Sequence, residues 1–375
     1  MLWLFWLSLL FLVYTLLGYP LLLWLLSVVR SQTHRRSPIC PSIALIIPAH
    51  NEASGLANKI RNSLALTYPK ELREILVVSD GSQDATADVV RSFADQDVKL
   101  VELEERRGKH YAQMIARDRS IGEILVFTDA SVNLDRSVLE QVVSNFADPS
   151  VGCVSSEDQV SRTGEKGEGR YVKFEMWLRR LESQVGSLVS ASGSFFAARR
   201  ELCDVWHPDQ SSDFFIPLHA AERKLRTVVD PECRGHYGVA QEEKIEFDRK
   251  VRTVVHGLNV VATHLHLLNP LRHAFFAWQL VSHKVLRWLA PMAGLLLLLA
   301  NLFLWNTGTF YRVTLALQAA LYLAGLAALA VAGLRKIRAF ELAGFFVMVN
   351  AATLVAWIKY LRGERFVSWQ PTRRS

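Results

Sequence analysis

Two segments of the sequence decide the fold: Ile75-Leu-Val-Val-Ser-Asp-Gly-Ser-Gln-Asp84 and Ile124-Leu-Val-Phe-Thr-Asp-Ala-Ser131. Each is typical of a buried β-strand that ends at an aspartate, Asp80 in the first and Asp129 in the second. A third strand, predicted from Ile43 to Pro48, runs directly into His50-Asn51-Glu52. Since open α/β sheets bind ligands at the carboxyl ends of parallel strands, we expect these polar strand ends to meet at one edge of a sheet. The pattern outlines a pocket for a nucleoside diphosphate.

Hydrophobic residues are concentrated in a few long stretches. They make up 50% of the 375 residues, beside 43 Lys and Arg and 36 Asp and Glu, and this is too apolar for a purely soluble protein. No charged residue occurs in residues 2–29, 289–305 or 313–334. Each stretch is long enough, or nearly so, to cross a hydrocarbon core of about 30 Å. A weaker candidate covers residues 342–358. We therefore predict N-terminal and C-terminal transmembrane helices around a central α/β domain.

The first apolar stretch is predicted to be a retained membrane anchor. A secretory signal peptide is the alternative, but the amino-terminal end carries no basic side chain and the apolar run is roughly twice the usual length. Basic residues and a histidine follow at once: Arg30, His34, Arg35 and Arg36. By the positive-inside rule, the central domain is predicted to lie in the cytosol, in a multi-pass protein of the cell (inner or plasma) membrane.

The side of the membrane that holds the C-terminal tail stays open. Four crossings with a cytosolic central domain would export the tail. The basic residues of this region argue instead that the tail stays inside: Lys359, Arg362, Arg365, Arg373 and Arg374. Either the last apolar segment is re-entrant or interfacial, or the chain crosses the membrane only three times.

Strand-like runs alternate with polar helical stretches from Ile43 to about Val151, which is the order of βαβ units. Residues 269–287 combine aromatic with basic side chains, as in helices that lie at a membrane interface. The predicted division is an anchor at 1–29, a basic linker at 30–42, a cytosolic α/β domain at 43–262, an interfacial amphipathic helix at 263–288, transmembrane segments at 289–360 and a basic tail at 361–375.

Three charged positions have the chemistry that a diphosphate pocket needs. The carboxylate of Asp80 can accept a hydrogen bond from a base or a ribose, or it caps the helix that begins near Asp84. Asp129 can hold a divalent ion against a diphosphate, although a lone aspartate at a strand end also occurs without that role. Lys109 lies at the predicted amino terminus of a helix, which favours anions, or it belongs to a solvated charge run.

Four motifs follow one another in the order Ala44-Leu-Ile-Ile-Pro-Ala-His-Asn-Glu52, Val77-Val-Ser-Asp-Gly-Ser-Gln-Asp-Ala-Thr86, Arg107-Gly-Lys-His110 and Phe127-Thr-Asp-Ala-Ser131. In order and spacing they resemble the successive motifs of the family 2 inverting glycosyltransferases. The sequence beyond Val151 resembles the membrane-embedded members of that family, such as cellulose and hyaluronan synthases. The resemblance implies a GT-A fold, an α/β architecture that binds a nucleotide-sugar.

The resemblance also implies which residues bind the donor. We predict donor contacts at Pro48, His50, Glu52, Asp80, Lys109 and Asp129. Asp80 would contact the nucleoside and Lys109 the phosphates. Asp129 takes the place of the metal-binding DxD motif and would hold Mg²⁺ or Mn²⁺. Ser131 stands where the second aspartate of that motif is expected, so the chain departs from the family pattern there.

A catalytic base and a diphosphate-binding pair are implied further along. The base of the family is an acid after the acceptor-binding segment, and Asp213 is the only acid in the matching stretch Gln210-Ser-Ser-Asp-Phe-Phe-Ile-Pro-Leu218. The (Q/R)xxRW motif of the family matches Arg249-Lys-Val-Arg252, with Thr253 in place of the tryptophan. A second match, Lys284-Val-Leu-Arg287-Trp288, comes later and abuts an apolar stretch, where an interfacial anchor is the alternative.

The predicted function is inverting transfer of a sugar from a nucleotide-sugar, with UDP as the expected nucleotide, to a polysaccharide or lipid-linked acceptor in cell-surface or exopolysaccharide synthesis. A nucleotide-binding membrane scaffold or transport subunit without catalysis is the alternative, but the apolar stretches carry almost no ionisable residue to mark a transport path. The net charge of +7 does not indicate nucleic-acid binding, because Lys and Arg flank the apolar stretches. Membrane lipids are expected partners.

Overall fold

The computed structural model describes residues 1–160, 167–237 and 243–364. The strands are β1 Ile43–Ala49, β2 Arg73–Asp80, β3 Val98–Leu103, β4 Ile124–Thr128, β5 Asn133–Leu134, β6 Val151–Val160, β7 Phe195–Arg199 and β8 Arg226–Tyr237. The helices are α1 Leu2–Val13, α2 Tyr19–Val29, α3 Ala53–Leu64, α4 Thr86–Arg91, α5 Lys109–Asp118, α6 Val138–Ser144, α7 Gly167–Val185, α8 Ser212–Glu222, α9 Glu243–Thr263, α10 Pro270–Leu280, α11 Leu286–Phe303, α12 Thr309–Ala330 and α13 Arg338–Leu361. The predicted alternation of strands and helices is confirmed.

The strands form a mixed sheet in the order β3-β2-β1-β4-β7-β6-β8-β5. The first four are parallel, whereas β7 is antiparallel to both of its neighbours. β1 is buried at every residue, as expected for a parallel strand covered on both faces. Because β2, β1 and β4 are neighbours, the chain positions that follow them, Asp80, His50 and Asp129, meet at one edge. The predicted convergence of the three strand ends is confirmed.

Two apolar layers cover the two faces of the sheet. One contains Leu56 and Ile60 of α3 together with α6, and the other contains Ala112 and Ala116 of α5 together with α8. In α3 and α5 the buried residues recur four positions apart, so each helix presents one apolar stripe to the sheet. This packing fixes the starts of α5 and α8, which both lie at the strand-end edge.

In the described part of the chain, four helical segments are long and apolar enough to cross a membrane: Leu2–Val29, Pro270–Phe303, Thr309–Ala330 and Arg338–Leu361. In the second of these, α10 and α11 are joined by a π-helical turn, Val281–Val285, so the chain has no break at the predicted border between residues 288 and 289. Backbone angles at Ala274 are non-helical and kink α10. Most of the predicted basic tail, residues 365–375, lies outside the described residues.

The first half of helix α13 packs against α12, where Gly325 and Gly344 allow a close approach, and its second half packs against the α/β domain. The ring of Phe345 lies 5.6 Å from that of Tyr171 in α7. Further along, Ala352 and Ala356 pack against valines of α9, and Trp357 Nε1 donates to the carbonyl of Trp288 at 2.9 Å. Phe345 and Trp357 are separated by about 18 Å of helix. Both contact residues of the domain or next to it, while the first half of the same helix also packs against α12.

Candidate active site

Asp80 holds the loop that precedes α5. Its two carboxylate oxygens accept from the backbone nitrogens of Arg107 and Gly108, each at 2.7 Å, and only 1% of the residue is exposed. Gly81 has a φ of 58°, and a Cβ atom there would lie 2.4 Å from the backbone nitrogen of Arg106. Glycine is therefore required for this approach. The carboxylate predicted to contact a nucleoside is occupied by the backbone of the chain, and the nucleoside contact stays a prediction.

Lys109, the first residue of α5, joins two parts of the site. Its Nζ lies 2.5 Å from Oδ1 of Asp129 and donates to the carbonyl of Gly193 at 2.8 Å. The ion pair is mostly shielded from solvent, since the side chains of Lys109 and Asp129 are 12% and 20% exposed. The end of β4 is thereby tied to the turn before β7.

Asp213 faces this turn from the first turn of α8. A Cβ atom on Gly193 would lie 2.9 Å from Oδ2 of Asp213, so the glycine leaves room for the carboxylate. Asp213 also accepts from the backbone nitrogen of Ala191, through its carbonyl, at 2.7 Å. The structure thus gathers Lys109, Asp129 and Asp213 around one glycine.

His110 positions the start of α8. Burial, followed by the charges of His256 and Lys109, lowers the pKa of His110 well below its ordinary value, so the ring is neutral. Its Nδ1 accepts from the backbone nitrogen of Ser212 at 3.3 Å. Because Ser212 immediately precedes Asp213, this bond couples the starts of α5 and α8. This role of His110 was not predicted from the sequence.

Asp158 at the end of β6 supports the same turn and was also missed. Its Oδ1 accepts from the hydroxyls of Ser192 and Ser194, at 2.6 and 2.5 Å. These serines flank Gly193, so Asp158 orients the carbonyl that Lys109 contacts. The sequence contained a signal for this contact. A buried acid in a β-strand needs hydrogen-bond donors, and the run of small residues between Ser190 and Ala198 contains serines whose buried hydroxyls need acceptors.

The residues predicted after β1 build the wall next to Asp80. His50 Nδ1 lies 2.7 Å from the carbonyl of Asp80, and the backbone nitrogen of Glu52 donates to Thr86 Oγ1 at 2.9 Å. Pro48 is buried within β1. These contacts tie the end of β1 to the segment that follows β2.

Arginines of α9 and of the loop before α5 form a basic cluster. Burial and then the charges of Arg249 and Arg106 lower the pKa of Arg252. Arg249 is paired with Glu246, its Nε lying 2.6 Å from Oε2. In the described part of the chain, the buried Nε and Nη2 atoms of Arg106 have no hydrogen-bond partner. Buried polar atoms are usually paired, so this cluster is suited to complete its bonds with an anion.

Arg287 and Trp288 lie in different surroundings. The Arg287 guanidinium donates to Glu175 at 3.0 Å and to the hydroxyl of Tyr171 at 2.8 Å. The Trp288 indole covers Gly257 of α9, where a Cβ atom would lie 2.5 Å from the ring, and it makes an edge contact with Phe214. The charge of the Arg252 guanidinium, in contrast, contributes to lowering the pKa of His110. Arg252 therefore lies on the Lys109 side of the site.

The described residues contain no cluster of three or more His, Cys, Asp or Glu side chains suited to a metal ion. Asp129 is the carboxylate at the predicted position, and one of its oxygens faces Lys109. Mg²⁺ commonly uses one or two protein carboxylates and completes its shell with phosphate oxygens and water. The single carboxylate of Asp129 therefore suits a metal ion whose other ligands are phosphate oxygens of a diphosphate and water.

Lys59 of α3 holds the turn that carries Asp129 and was not predicted. Its Nζ donates to Thr128 Oγ1 at 2.9 Å and to the carbonyl of Val132 at 2.6 Å. Burial lowers its pKa to about 7, although the charge of Asp129 opposes this shift. The sequence signal was a lysine on the apolar face of α3, next to Ile60.

The fold and the carboxylate and lysine at the ends of its parallel strands can now be compared with known proteins. The family model of glycosyl transferase family 2 matches residues 44–206. The mannosyltransferase PcManGT from Pyrobaculum calidifontis, solved in complex with GDP-Man and Mn²⁺, has a TM-score of 0.74 with 24% identity, over 96% of this chain and 100% of that chain. The chain therefore contains a glycosyl transferase family 2 domain with the GT-A fold, as predicted.

Curated relatives match the same region. An N-acetylglucosaminyltransferase of Rhizobium meliloti is 31% identical over 169 residues, which cover 43% of this chain and 39% of that protein. A poly-beta-1,6-N-acetyl-D-glucosamine synthase of Staphylococcus epidermidis is 26% identical over 180 residues, 46% of this chain and 43% of that protein. The chain thus spans less than half the length of these relatives.

The buried amine of Lys59 predicts a pH dependence of stability. Its pKa is about 7 in the folded protein and about 10.4 in an unfolded chain, so the unfolded state binds more protons between these values. The unfolding free energy should therefore rise with pH across this window, by at most ~1.4 kcal/mol per pH unit from this residue. Lys59→Met should flatten that rise, as measured by the thermal unfolding midpoint of the purified protein between pH 7.5 and 9.5.

Lys70→Met is the matched control because Lys70 is exposed. It should leave the pH dependence unchanged. Equal slopes for wild type and Lys59→Met would show that the buried amine does not titrate in this range.

The buried Nε and Nη2 atoms of Arg106, which have no hydrogen-bond partner among the described residues, predict a contact with the donor diphosphate. Arg106→Gln should weaken the binding of a nucleoside diphosphate roughly tenfold, because a charge-assisted hydrogen bond contributes about 1.5–3 kcal/mol. Isothermal titration with UDP and GDP measures this effect. Arg107→Gln is the control, since the Arg107 side chain is 56% exposed and pairs with Glu105. Equal affinities of the two variants for the nucleoside diphosphate would show that Arg106 does not contact it.

Proposed function

We propose that this protein is an inverting glycosyltransferase, with Asp213 as the catalytic base, that transfers a sugar from a nucleotide-sugar to an acceptor hydroxyl. The observation that carries the proposal is the meeting of Lys109, Asp129 and Asp213 around Gly193. A general base and a cation for a leaving phosphate are thereby held on the two sides of one small turn.

The proposed reaction is a single displacement at the anomeric carbon. Asp213 accepts the proton of the acceptor hydroxyl while the oxygen attacks the carbon. The bond between that carbon and the diphosphate breaks, and Lys109, Arg106 and Arg252 stabilise the charge that develops on the leaving group. His110 holds the start of α8, which keeps the base aligned with the turn.

Asp129 is the proposed ligand for Mg²⁺ or Mn²⁺, which would add positive charge to the leaving diphosphate. One carboxylate and a neighbouring lysine give weak affinity for the ion alone. The ion is therefore expected to bind together with the donor. Lys59 keeps the carboxylate in place by fixing the residues on either side of its turn.

The sugar donor and the acceptor are proposed from the chemistry of the site and from the names of the curated relatives. The Rhizobium and Staphylococcus relatives are named for N-acetylglucosamine transfer and for a polysaccharide product, which supports a nucleotide-sugar donor and a role in polysaccharide synthesis. UDP is the nucleotide expected from the family resemblance. A polysaccharide end and a lipid-linked saccharide both present the hydroxyl that Asp213 requires.

We propose three membrane crossings, by α1–α2, α10–α11 and α12, because the second half of α13 packs on valines of α9. In this arrangement α13 lies at the membrane surface beside the α/β domain, and the C-terminal tail stays on the domain side. The arrangement removes the conflict between four crossings and a basic tail. We infer a multi-pass protein of the cell membrane with a cytosolic catalytic domain.

Replacement of the proposed base tests the function. Asp213→Asn should lower sugar transfer by about 10²–10⁴-fold, the usual contribution of a general base, without loss of donor binding. Transfer is measured with purified membranes, a panel of radiolabelled nucleotide-sugars and Mg²⁺ or Mn²⁺, and the product is sized. Donor binding is measured separately by titration.

Asp204→Asn is the control, because Asp204 is an exposed acid that precedes α8. Transfer at the wild-type rate by Asp213→Asn would exclude this residue as the base. Nucleotide binding without transfer from any donor of the panel would favour the scaffold alternative.

Cysteine labelling tests the membrane topology. Cys40 is exposed and marks the side of the α/β domain, whereas Cys153, Cys203 and Cys233 are buried. In a Cys40→Ser background, Arg362→Cys should react with an impermeant maleimide from the same side as native Cys40. Asn306→Cys, between α11 and α12, should react from the opposite side. Labelling of both new cysteines from one side would contradict three crossings.

A further inference from the structure

A cavity of about 850 Å³ lies among the apolar helices, away from Asp213. Its walls come from α1–α2, α7, α11, α12 and α13 and are mostly aliphatic, for example Leu9, Leu12, Leu295, Leu317, Leu321 and Val349. The polar part of its surface is small. A space of this kind between membrane helices suits a hydrocarbon chain.

Polar side chains in the wall bond to one another. Thr314 Oγ1 donates to Asn301 Oδ1 at 2.9 Å, and Gln318 Nε2 donates to the carbonyl of Gly294 at 2.8 Å. A saccharide chain needs hydrogen-bond partners along its whole length, because unpaired buried hydroxyls are costly. The aliphatic wall does not supply such a series of partners. An apolar occupant therefore fits better than a growing polysaccharide.

One end of the cavity is basic. Arg287 and Tyr171 line it there, and Arg287 is paired with Glu175 at 3.0 Å. Lys284 lies one turn before Arg287 in the same segment, a spacing that places both on neighbouring positions of one helix face. In the described part of the chain, Lys284 makes no hydrogen bond or ion pair, and the buried Nε and Nη1 of Arg179 have no hydrogen-bond partner. Two incompletely bonded cations beside an apolar cavity suit the phosphate of a lipid.

Lys284 lies against the residue that follows the proposed base. The Nζ of Lys284 lies 5.6 Å from the centre of the Phe214 ring. Phe214 follows Asp213 directly in α8. A phosphate at Lys284 would thus have its hydrocarbon chain on the cavity side and a sugar on the side of Asp213.

We propose that the acceptor is an isoprenoid lipid whose phosphate or diphosphate carries the saccharide, with its hydrocarbon chain in this cavity and its phosphate at Lys284. This inference rests on the proposed function, of which it names the acceptor class. Arg287 neutralises the carboxylate of Glu175, and the guanidinium of Arg179 adds positive charge beside the proposed phosphate position. The reacting hydroxyl at the other end of the lipid head group reaches Asp213.

Photocrosslinking tests the binding without requiring catalysis. The full-length protein in phosphatidylcholine vesicles is irradiated with a long-chain polyprenyl phosphate that carries a diazirine in its hydrocarbon chain. Adducts are expected on peptides that contain Leu9–Leu16 and Leu317–Tyr322. Unlabelled polyprenyl phosphate in excess should suppress them, whereas phosphatidylglycerol should not. Suppression by both lipids alike would show a general lipid contact and overturn the proposal.

Ala351→Phe fills the cavity, since Ala351 lines it. We expect this variant to reduce the specific adduct at least about tenfold, because it displaces well-packed hydrocarbon. Ala320→Phe is the matched control, as Ala320 of α12 is exposed and does not line the cavity. Equal adduct yields in both variants would place the lipid elsewhere.

Substitutions of Lys284 test the phosphate contact and do not depend on filling the cavity. Lys284→Met should weaken competition by polyprenyl phosphate about tenfold, whereas Lys284→Arg should retain it. Competition by uncharged polyprenol should be weak in all three proteins. Equal competition by polyprenol and by its phosphate would refute the phosphate site.

Sugar transfer is measured in parallel, so the two proposals fail separately. A specific adduct without transfer from any nucleotide-sugar leaves the lipid site standing and overturns the proposed function. Transfer to soluble saccharides with no specific adduct leaves the function standing and overturns the lipid acceptor.

Discussion

The hydrogen bonds that Asp80 accepts from the backbone of Arg107 and Gly108 are the constraint on which the site depends. They join the end of one strand to the first turn of α5, across a contact that only a glycine at position 81 permits. An ionised acceptor makes such bonds short and strong. Because Lys109 follows Gly108, the position of its ammonium is set by this contact. Loss of the Asp80 carboxylate would release the lysine from both Asp129 and the turn before β7.

This part of the site has an excess of positive charge, which favours the binding of an anion. Lys109 neutralises Asp129, burial lowers the pKa of Arg252, and buried Nε and Nη2 atoms of Arg106 have no hydrogen-bond partner among the described residues. A diphosphate would supply the missing hydrogen bonds and relieve the repulsion among the arginines at the same time. The cost of keeping these cations close together in the free protein is therefore part of the driving force for donor binding.

The sequence was sufficient for the parallel strands β1, β2 and β4 and for the carboxylates at the ends of β2 and β4, since these follow from local patterns of apolar and polar residues. Strands β6, β7 and β8 were not predicted, because their pairing depends on contacts between distant parts of the chain. The meeting of Lys109 with Asp129 was not readable from the sequence, because it depends on the packing of α5 against the sheet. Lys59 and His110 were missed for a related reason. Each looks like an ordinary helical residue until the turn or helix that it contacts has been placed. The path of α13 likewise depends on contacts with α9, whereas its composition alone is that of a membrane span.

The helices that carry the two candidate arginine motifs contact each other where the membrane helices pack on the domain. The missing tryptophan after Arg252 leaves an exposed threonine, and on the inner face of the same helix Gly257 opens a space. Trp288 of α11 fills that space and reaches Phe214, which is next to the proposed base. We propose that one helix supplies the arginines of the motif and that another supplies its indole. A shift of α11 in the membrane would move Trp288 against α9 and α8 together, so that lipid packing around α11 and the alignment of Asp213 are mechanically linked.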